Sequence, residues 1–118
     1  MAKFSFTKAE RLSSKKSIQE LFNKGSSFYL YPFKVFVLKA ESEVNQILIS
    51  VPKSNFKRAV DRNAIKRRIR EGYRLNKSKL PSDKTFLIAY IYTAKNILTS
   101  DVIHQKIISS LNKIAGEK

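Results

Sequence analysis

The chain contains no cysteine, which excludes disulfide staples, zinc–thiolate sites and thiol nucleophiles together. It has a single histidine, His104, so a multi-histidine metal site is excluded as well. Three glycines and three prolines give sparse punctuation, and none of the glycines sits in a phosphate-cradling loop. That argues against ATP- or NAD-dependent chemistry. No apolar run approaches the roughly 18 residues of a membrane span. The opening MAKFSFTKAER lacks the apolar stretch of a signal peptide. Acid is scarce too: 9 Asp+Glu stand against 24 Lys+Arg, a formal net charge of +15. The carboxylates show no paired or D-x-D spacing of the kind a two-metal nuclease needs. The expectation is a cytoplasmic protein that does not enter a membrane and whose partner is a polyanion.

What the chain does have is enough apolar material for one core. With 118 residues, 42% of them apolar, it is long enough for one domain, residues 1–118 with an ordered core over about 11–114. The charge is concentrated. Residues 53–79 hold 11 basic and 2 acidic side chains, so +9 of the +15 falls within 27 residues. Such a stretch repels itself until counterions or a partner neutralise it, and nucleic acid is the commonest partner.

Periodicity divides the chain into six elements. Residues 14–24 predict a helix, capped by Ser13 or Ser14, with Ile18, Leu21 and Phe22 on its apolar edge and Gly25 in a left-handed closing position. Residues 28–38 predict one strand, Phe33, Val35 and Val37 alternating with Lys34, Phe36 and Leu38. QILISV at 46–51 predicts a second strand, halted by Pro52. Residues 57–77 predict a long helix with a narrow seam of Ile65, Ile69 and Gly72, Tyr73 at its margin. TFLIAYIY at 85–92 predicts a third strand. A last helix begins near Thr99 or Ser100, with Ile103, Ile107, Leu111 and Ile114 on one side and His104 at a polar position. The order α-β-β-α-β-α is that of an α+β sandwich.

The long helix carries the chemistry. Its candidate RNA-binding residues are Arg58, Arg62, Asn63, Lys66, Arg67, Arg68, Arg70 and Arg74. Guanidinium forks match phosphate bidentately, and Asn63 offers donor and acceptor together. A cationic face can also be merely solvated, but few acids interleave here to balance it. The aromatics are a weaker signal. For any one ring core packing is the commoner fate, and only Phe22 and Phe36 suit an open, base-stacking face. No side chain is assigned a catalytic role.

The stretch KRAVDRNAIKRRIREGY, residues 57–73, resembles the signature helix of the bacterial ribonuclease P protein family, R-N-x-x-K-R-x-x-R. The matching residues are Arg62, Asn63, Lys66, Arg67 and Arg70. RLSSKKSIQELFNKG at 11–25 and ISVPKS at 49–54 resemble the same family. The resemblance implies a ribosomal-protein-domain-like sandwich with a left-handed β-α-β crossover through the basic helix. It implies a holoenzyme in which a catalytic RNA, holding most of the Mg2+, removes the 5′ leader of precursor tRNA, with one protein per RNA. The five signature residues would then face that RNA, with the region of Asn63 near a magnesium ion. Ile18, Phe22, Phe36, Ser50 and Lys53 would line the leader cleft. Two positions depart from the family pattern: Ala64 where an arginine is common, and Ile18 where an aromatic ring is common.

Three other readings compete. A structural RNA-binding protein of ribosomal type fits the charge without any role in cleavage. A membrane-surface helix would need a broader apolar face than the Ile65–Ile69–Gly72 seam. A self-sufficient metal-dependent RNase would need clustered carboxylates.

Overall fold

β-Branched and aromatic residues alternating in and out build four strands, and apolar residues every three or four positions build three helices. The computed structural model describes residues 8–41 and 43–116. Its elements are α1 (Lys15–Lys24), β1 (Ser26–Leu30), β2 (Phe33–Ala40), β3 (Gln46–Ser50), α2 (Ala59–Asn76), β4 (Thr85–Tyr92) and α3 (Ser100–Ala115). Short 3-10 turns occupy Lys8–Glu10 and Lys77–Lys79. The hydroxyls of Ser14 and Thr99 accept from Ser17 N and Val102 N, satisfying otherwise orphaned amides at the starts of α1 and α3.

The sheet runs β1-β2-β4-β3. β1 and β2 pair antiparallel, as do β2 and β4, whereas β3 lies parallel to β4. A parallel pair cannot be closed by a tight turn, so α2 forms the crossover from the end of β3 to the start of β4. β4 sits between two partners and is covered by helices on both faces, so it is apolar on both. Phe86, Ile88, Tyr90 and Tyr92 face one way, into a core with Ile65, Ile69 and Tyr73 of α2 and Ile103, Ile107, Leu111 and Ile114 of α3. Leu87 and Ala89 face the other way, into a smaller cluster with Leu12 and Leu21.

The α+β sandwich is therefore the expected one, with one strand more than expected. The segment 28–38 is not a single strand. Tyr31 and Pro32 turn it into the β1–β2 hairpin, so that Leu30 pairs with Phe33. Proline has no N–H to offer a ladder, which is why the run breaks there.

Two local expectations also change. Gly25 is extended at φ −73°, not left-handed. It is glycine because a Cβ would stand 2.4 Å from the Leu21 carbonyl oxygen and 2.9 Å from that of Val37. His104 does not sit on a free polar face. Its Nε2 lies 3.1 Å from the Arg68 carbonyl, and its ring packs where Gly72 has no side chain. Gly72 thus lets α2 and α3 approach closely.

Gly25→Ala is expected to destabilise the protein by about 1–3 kcal/mol, although alanine tolerates that backbone angle, because the atoms it meets are backbone. Urea unfolding checks this; an unchanged midpoint would reject the close-approach explanation. Burial lifts the Tyr73 hydroxyl well above its usual 10.0, with Glu10 and Tyr90 adding to the effect, and burial does the same to Tyr90. Above that pH the unfolded chain releases protons that the folded chain keeps, so stability is full below about pH 10 and falls as pH rises beyond it. Melting temperatures across alkaline pH should decline accordingly, and a flat profile would contradict this.

Candidate nucleic-acid interface

The crossover lays α2 across the sheet with Ile65, Ile69, Gly72 and Tyr73 buried beneath it, which turns the remaining sides of an arginine-rich sequence outward. The structure then divides the cations into two groups. Arg62 folds back, its Nη1 donating to the carbonyls of Phe56 at 2.7 Å and Lys57 at 3.0 Å. Arg68 Nη1 donates to the Leu98 carbonyl at 2.7 Å and ties α2 to the loop before α3. Arg74 is paired with Glu71 within the helix. These three of the sequence-predicted residues therefore have structural work within the fold.

The others do not. Among the described residues the side chains of Lys53, Lys57, Arg58, Asn63, Lys66, Arg67 and Arg70 make no intramolecular hydrogen bond or ion pair. Arg58 is the residue at the N-cap of α2, and no side chain caps that end. Cations near a helix N-terminus oppose the helix dipole, so this end of α2 is an electrostatic cost when left alone. Of the net charge of +15, +9 lies within residues 53–79.

Lys66 and Arg70 line an open cleft of about 470 Å³ along the edge of β3, with Arg11, Ser13 and Leu48 opposite or beneath them. β3 is an edge strand, and the chain before α1 runs beside it. Arg11 bridges Ile47 in parallel fashion, and the Leu12 amide donates to the Ile47 carbonyl at 3.0 Å. The Gln46 side-chain Nε2 donates to the Ala9 carbonyl at 3.3 Å. Nearby, the buried carboxylate of Glu10 accepts from Lys77 Nζ at 3.0 Å and 3.1 Å, anchoring this segment to the far end of α2. Sequence reasoning missed Arg11. Its place depends on a contact between residues 67 apart in sequence, for which local pattern holds no signal.

On the sheet face opposite α2, α1 covers only part of the surface. Phe22 is 38% exposed and stands edge-on to Phe36, ring centroids 4.7 Å apart. Lys34 Nζ lies 5.7 Å from the centroid of the Phe36 ring. Register places Ser50 in the same row as Lys34 and Ile91, and Lys53 is exposed beyond the end of β3. Ile18 packs on the smaller cluster under α1, half-buried. The cleft at the β3 edge touches both surfaces, since Leu48 belongs to the α1 side and Lys66 and Arg70 come from α2.

Acid gathers elsewhere. Glu41, Glu43 and Asp83, with Lys39 and Lys84 among them, line a second cavity of about 470 Å³ where β2 ends and β4 begins. No cluster of three or more His, Cys, Asp or Glu able to hold a metal occurs among the described residues. Around Asn63 the neighbouring groups on α2 are mainly cations, a donor set that does not fit Mg2+ without oxygens from elsewhere.

The ribonuclease P family profile matches residues 6–115. The chain belongs to the ribonuclease P protein family. A ribonuclease P protein component from Porphyromonas gingivalis is 35% identical over 121 residues, covering 96% of this chain and 88% of the relative. One from Buchnera aphidicola is 34% identical over 116 residues, covering 97% and 95%. The solved ribonuclease P protein of Thermotoga maritima superposes with a TM-score of 0.78 at 28% identity, covering 91% of this chain and 99% of that one. That of Staphylococcus aureus gives 0.73 at 31% identity, covering 92% and 97%. The likeness thus extends across the whole described fold, both faces of the sheet included. No helix among the described residues is long and apolar enough to cross a membrane.

Arg62→Ala is expected to lower stability by about 1–2 kcal/mol, because two carbonyls lose a charged donor. Arg67→Ala should leave it within about 0.5 kcal/mol, as for an ordinary surface change. Paired urea titrations check the contrast; equal effects would mean that Arg62 is no more structural than Arg67.

Proposed function

We propose that this chain is the protein subunit of a ribonuclease P holoenzyme, binding the catalytic RNA through α2 and the 5′ leader of precursor tRNA on the sheet face beside α1. Its effect is to assist the metal-dependent endonucleolytic cut that makes the mature 5′ end. Family membership supports the enzyme; the division of the α2 cations supports the mode of action. Lys66, Arg67 and Arg70, with Asn63, are the signature residues left without partners inside the protein, whereas Arg62 is held by its own backbone. That separation is the observation that carries the reading. Arg58 and Lys53 extend the same surface towards the sheet, and Arg11 adds a cation on the far side of the β3 cleft.

The chemistry of this surface is electrostatic. An RNA active site repels its polyanionic substrate, and a protein of +15 reduces that repulsion where it docks. The Phe22–Phe36 pair offers unpaired bases a sequence-tolerant stacking surface, with Ser50 and Lys53 beside it for the backbone. Ile18 contributes apolar contact without a ring. Mg2+ belongs to the RNA in this reading, because the cations around Asn63 disfavour a site made by the protein alone. The protein works in the cytoplasm, one copy per RNA.

Precursor-tRNA cleavage at low Mg2+ tests this, with protein alone, its catalytic RNA alone, and the two mixed. Correct 5′ cleavage by the mixture, well above either component, is expected. Lys66→Ala with Arg67→Ala should weaken RNA binding and flatten its dependence on salt by one to two in the log–log slope, from roughly 0.7 to 0.9 per phosphate contact. Tight, salt-sensitive RNA binding without any stimulation would instead indicate a structural RNA-binding protein.

A further inference from the structure

The aromatic strip does not end at Phe36. Lys34 follows two residues before it on the same face of β2, and Lys34 pairs across to Tyr29 on β1. Phe22, Phe36, Lys34 and Tyr29 therefore run in sequence from α1 to the β1 edge of the sheet. Tyr29 is 57% exposed, the second most exposed of the large apolar or aromatic side chains described. Yet it is not loose. Its hydroxyl lies 3.0 Å from Thr93 Oγ1. The Thr93 hydroxyl spends its one proton on the Pro32 carbonyl at 2.9 Å, so the Tyr29 hydroxyl is the donor in this bond. The Thr93 amide bonds to the same carbonyl at 2.7 Å, which fixes the acceptor in place.

The reach of this bond sets the ring's attitude. Thr93 follows β4, and β2 lies between β1 and β4. Two strand spacings amount to about 10 Å. A tyrosine standing upright from β1 could not cover that distance, so the side chain of Tyr29 lies along the sheet, across the end of β2. Held by its hydroxyl, the residue is still 57% exposed, and Lys34 is its cross-strand neighbour. A ring held in this way loses little side-chain freedom when a planar group settles on it, and the cation next to it suits the phosphate that accompanies a nucleotide.

We propose that Tyr29, with Lys34 at its side, is a further base-stacking position that extends the sheet-face strip to the β1 edge and takes one unpaired leader nucleotide. This rests on the leader-binding reading above and goes beyond the residues it names. The position is the distal one. α2 packs against β3 and the unpartnered cations cluster near that edge, while β1 is the opposite edge of the sheet. With α2 docked on the catalytic RNA, the nucleotide at Tyr29 is farther from the cleavage site than those at Phe22 and Phe36.

The test uses the holoenzyme reconstituted from the full chain and its catalytic RNA, with precursor tRNAs whose leaders lengthen one nucleotide at a time. Wild-type affinity should rise in steps. Tyr29→Ala should lose only the step made by the longer leaders, about fivefold or more, and bind short-leader substrates as wild type does. Phe36→Ala should lose an earlier step. Tyr29→Phe, which keeps the ring without the tether, should retain part of the late step. A leader carrying 4-thiouridine at the position of that step should cross-link to the peptide containing residue 29, a readout that does not need the alanine variant to fold. If Phe36→Ala loses its step while Tyr29→Ala matches wild type at every length, the distal position is wrong and leader binding stands. If wild-type affinity is indifferent to leader length, leader binding itself is wrong and the distal position falls with it.

Discussion

The parallel pairing of β3 with β4 is the constraint from which the rest of the molecule follows. Strands that run the same way must be joined by a connection that travels the length of the sheet, and here that connection is α2. The most highly charged part of the chain is thereby obliged to span the fold, with one seam buried and the other sides open. The same pairing leaves β3 as an edge, and the segment before α1 lies alongside it with Arg11 facing Lys66 and Arg70 across a cleft. A helix attached by a hairpin at the rim could not have tied its cations to both faces of the sheet.

A helix with this many arginines is stable because the protein neutralises some of them itself. Backbone carbonyls at Phe56, Lys57 and Leu98 accept from Arg62 and Arg68, and carboxylates meet Arg74 and Lys77. These contacts also hold the loop before α2, the loop before α3 and the segment before α1, so part of the charge doubles as scaffolding. What is left over is a contiguous set on the N-terminal part of α2 and the loop before it. A residue's membership of the signature helix and its availability to a partner are thus separate properties, and Arg62 has the first with its guanidinium already engaged.

The elements most easily read from sequence were those whose pattern is set by burial alone. TFLIAYIY is apolar on both faces because helices cover β4 on both, and the spacing of Ile103, Ile107, Leu111 and Ile114 is the buried side of α3. The division of segment 28–38 was not legible, because aromatic residues continue on both sides of Tyr31 and Pro32 and strand propensity does not fall. Gly25 showed that a glycine after a helix can be required by two nearby carbonyls rather than by a left-handed angle. In the site, helical spacing identified which cations share a helix. It could not tell those that bend back onto carbonyls from those that do not, since that depends on loops distant in sequence. Arg11 and the Glu10–Lys77 pair depend on the same kind of distant contact.

The carboxylates at the β2–β4 end give the arrangement of charge a direction. Glu41, Glu43 and Asp83 lie at the end of the sheet where α2 finishes, and Glu71 and Glu10 compensate the cations of its last turns. The uncompensated cations lie towards the other end. Charge on this net cation is therefore uneven along α2, nearly balanced where the helix finishes and uncompensated towards its start. In the field of a large polyanion such a body experiences a torque as well as an attraction, and it rotates before it touches. An uneven charge of this kind biases orientation during approach, ahead of any short-range contact.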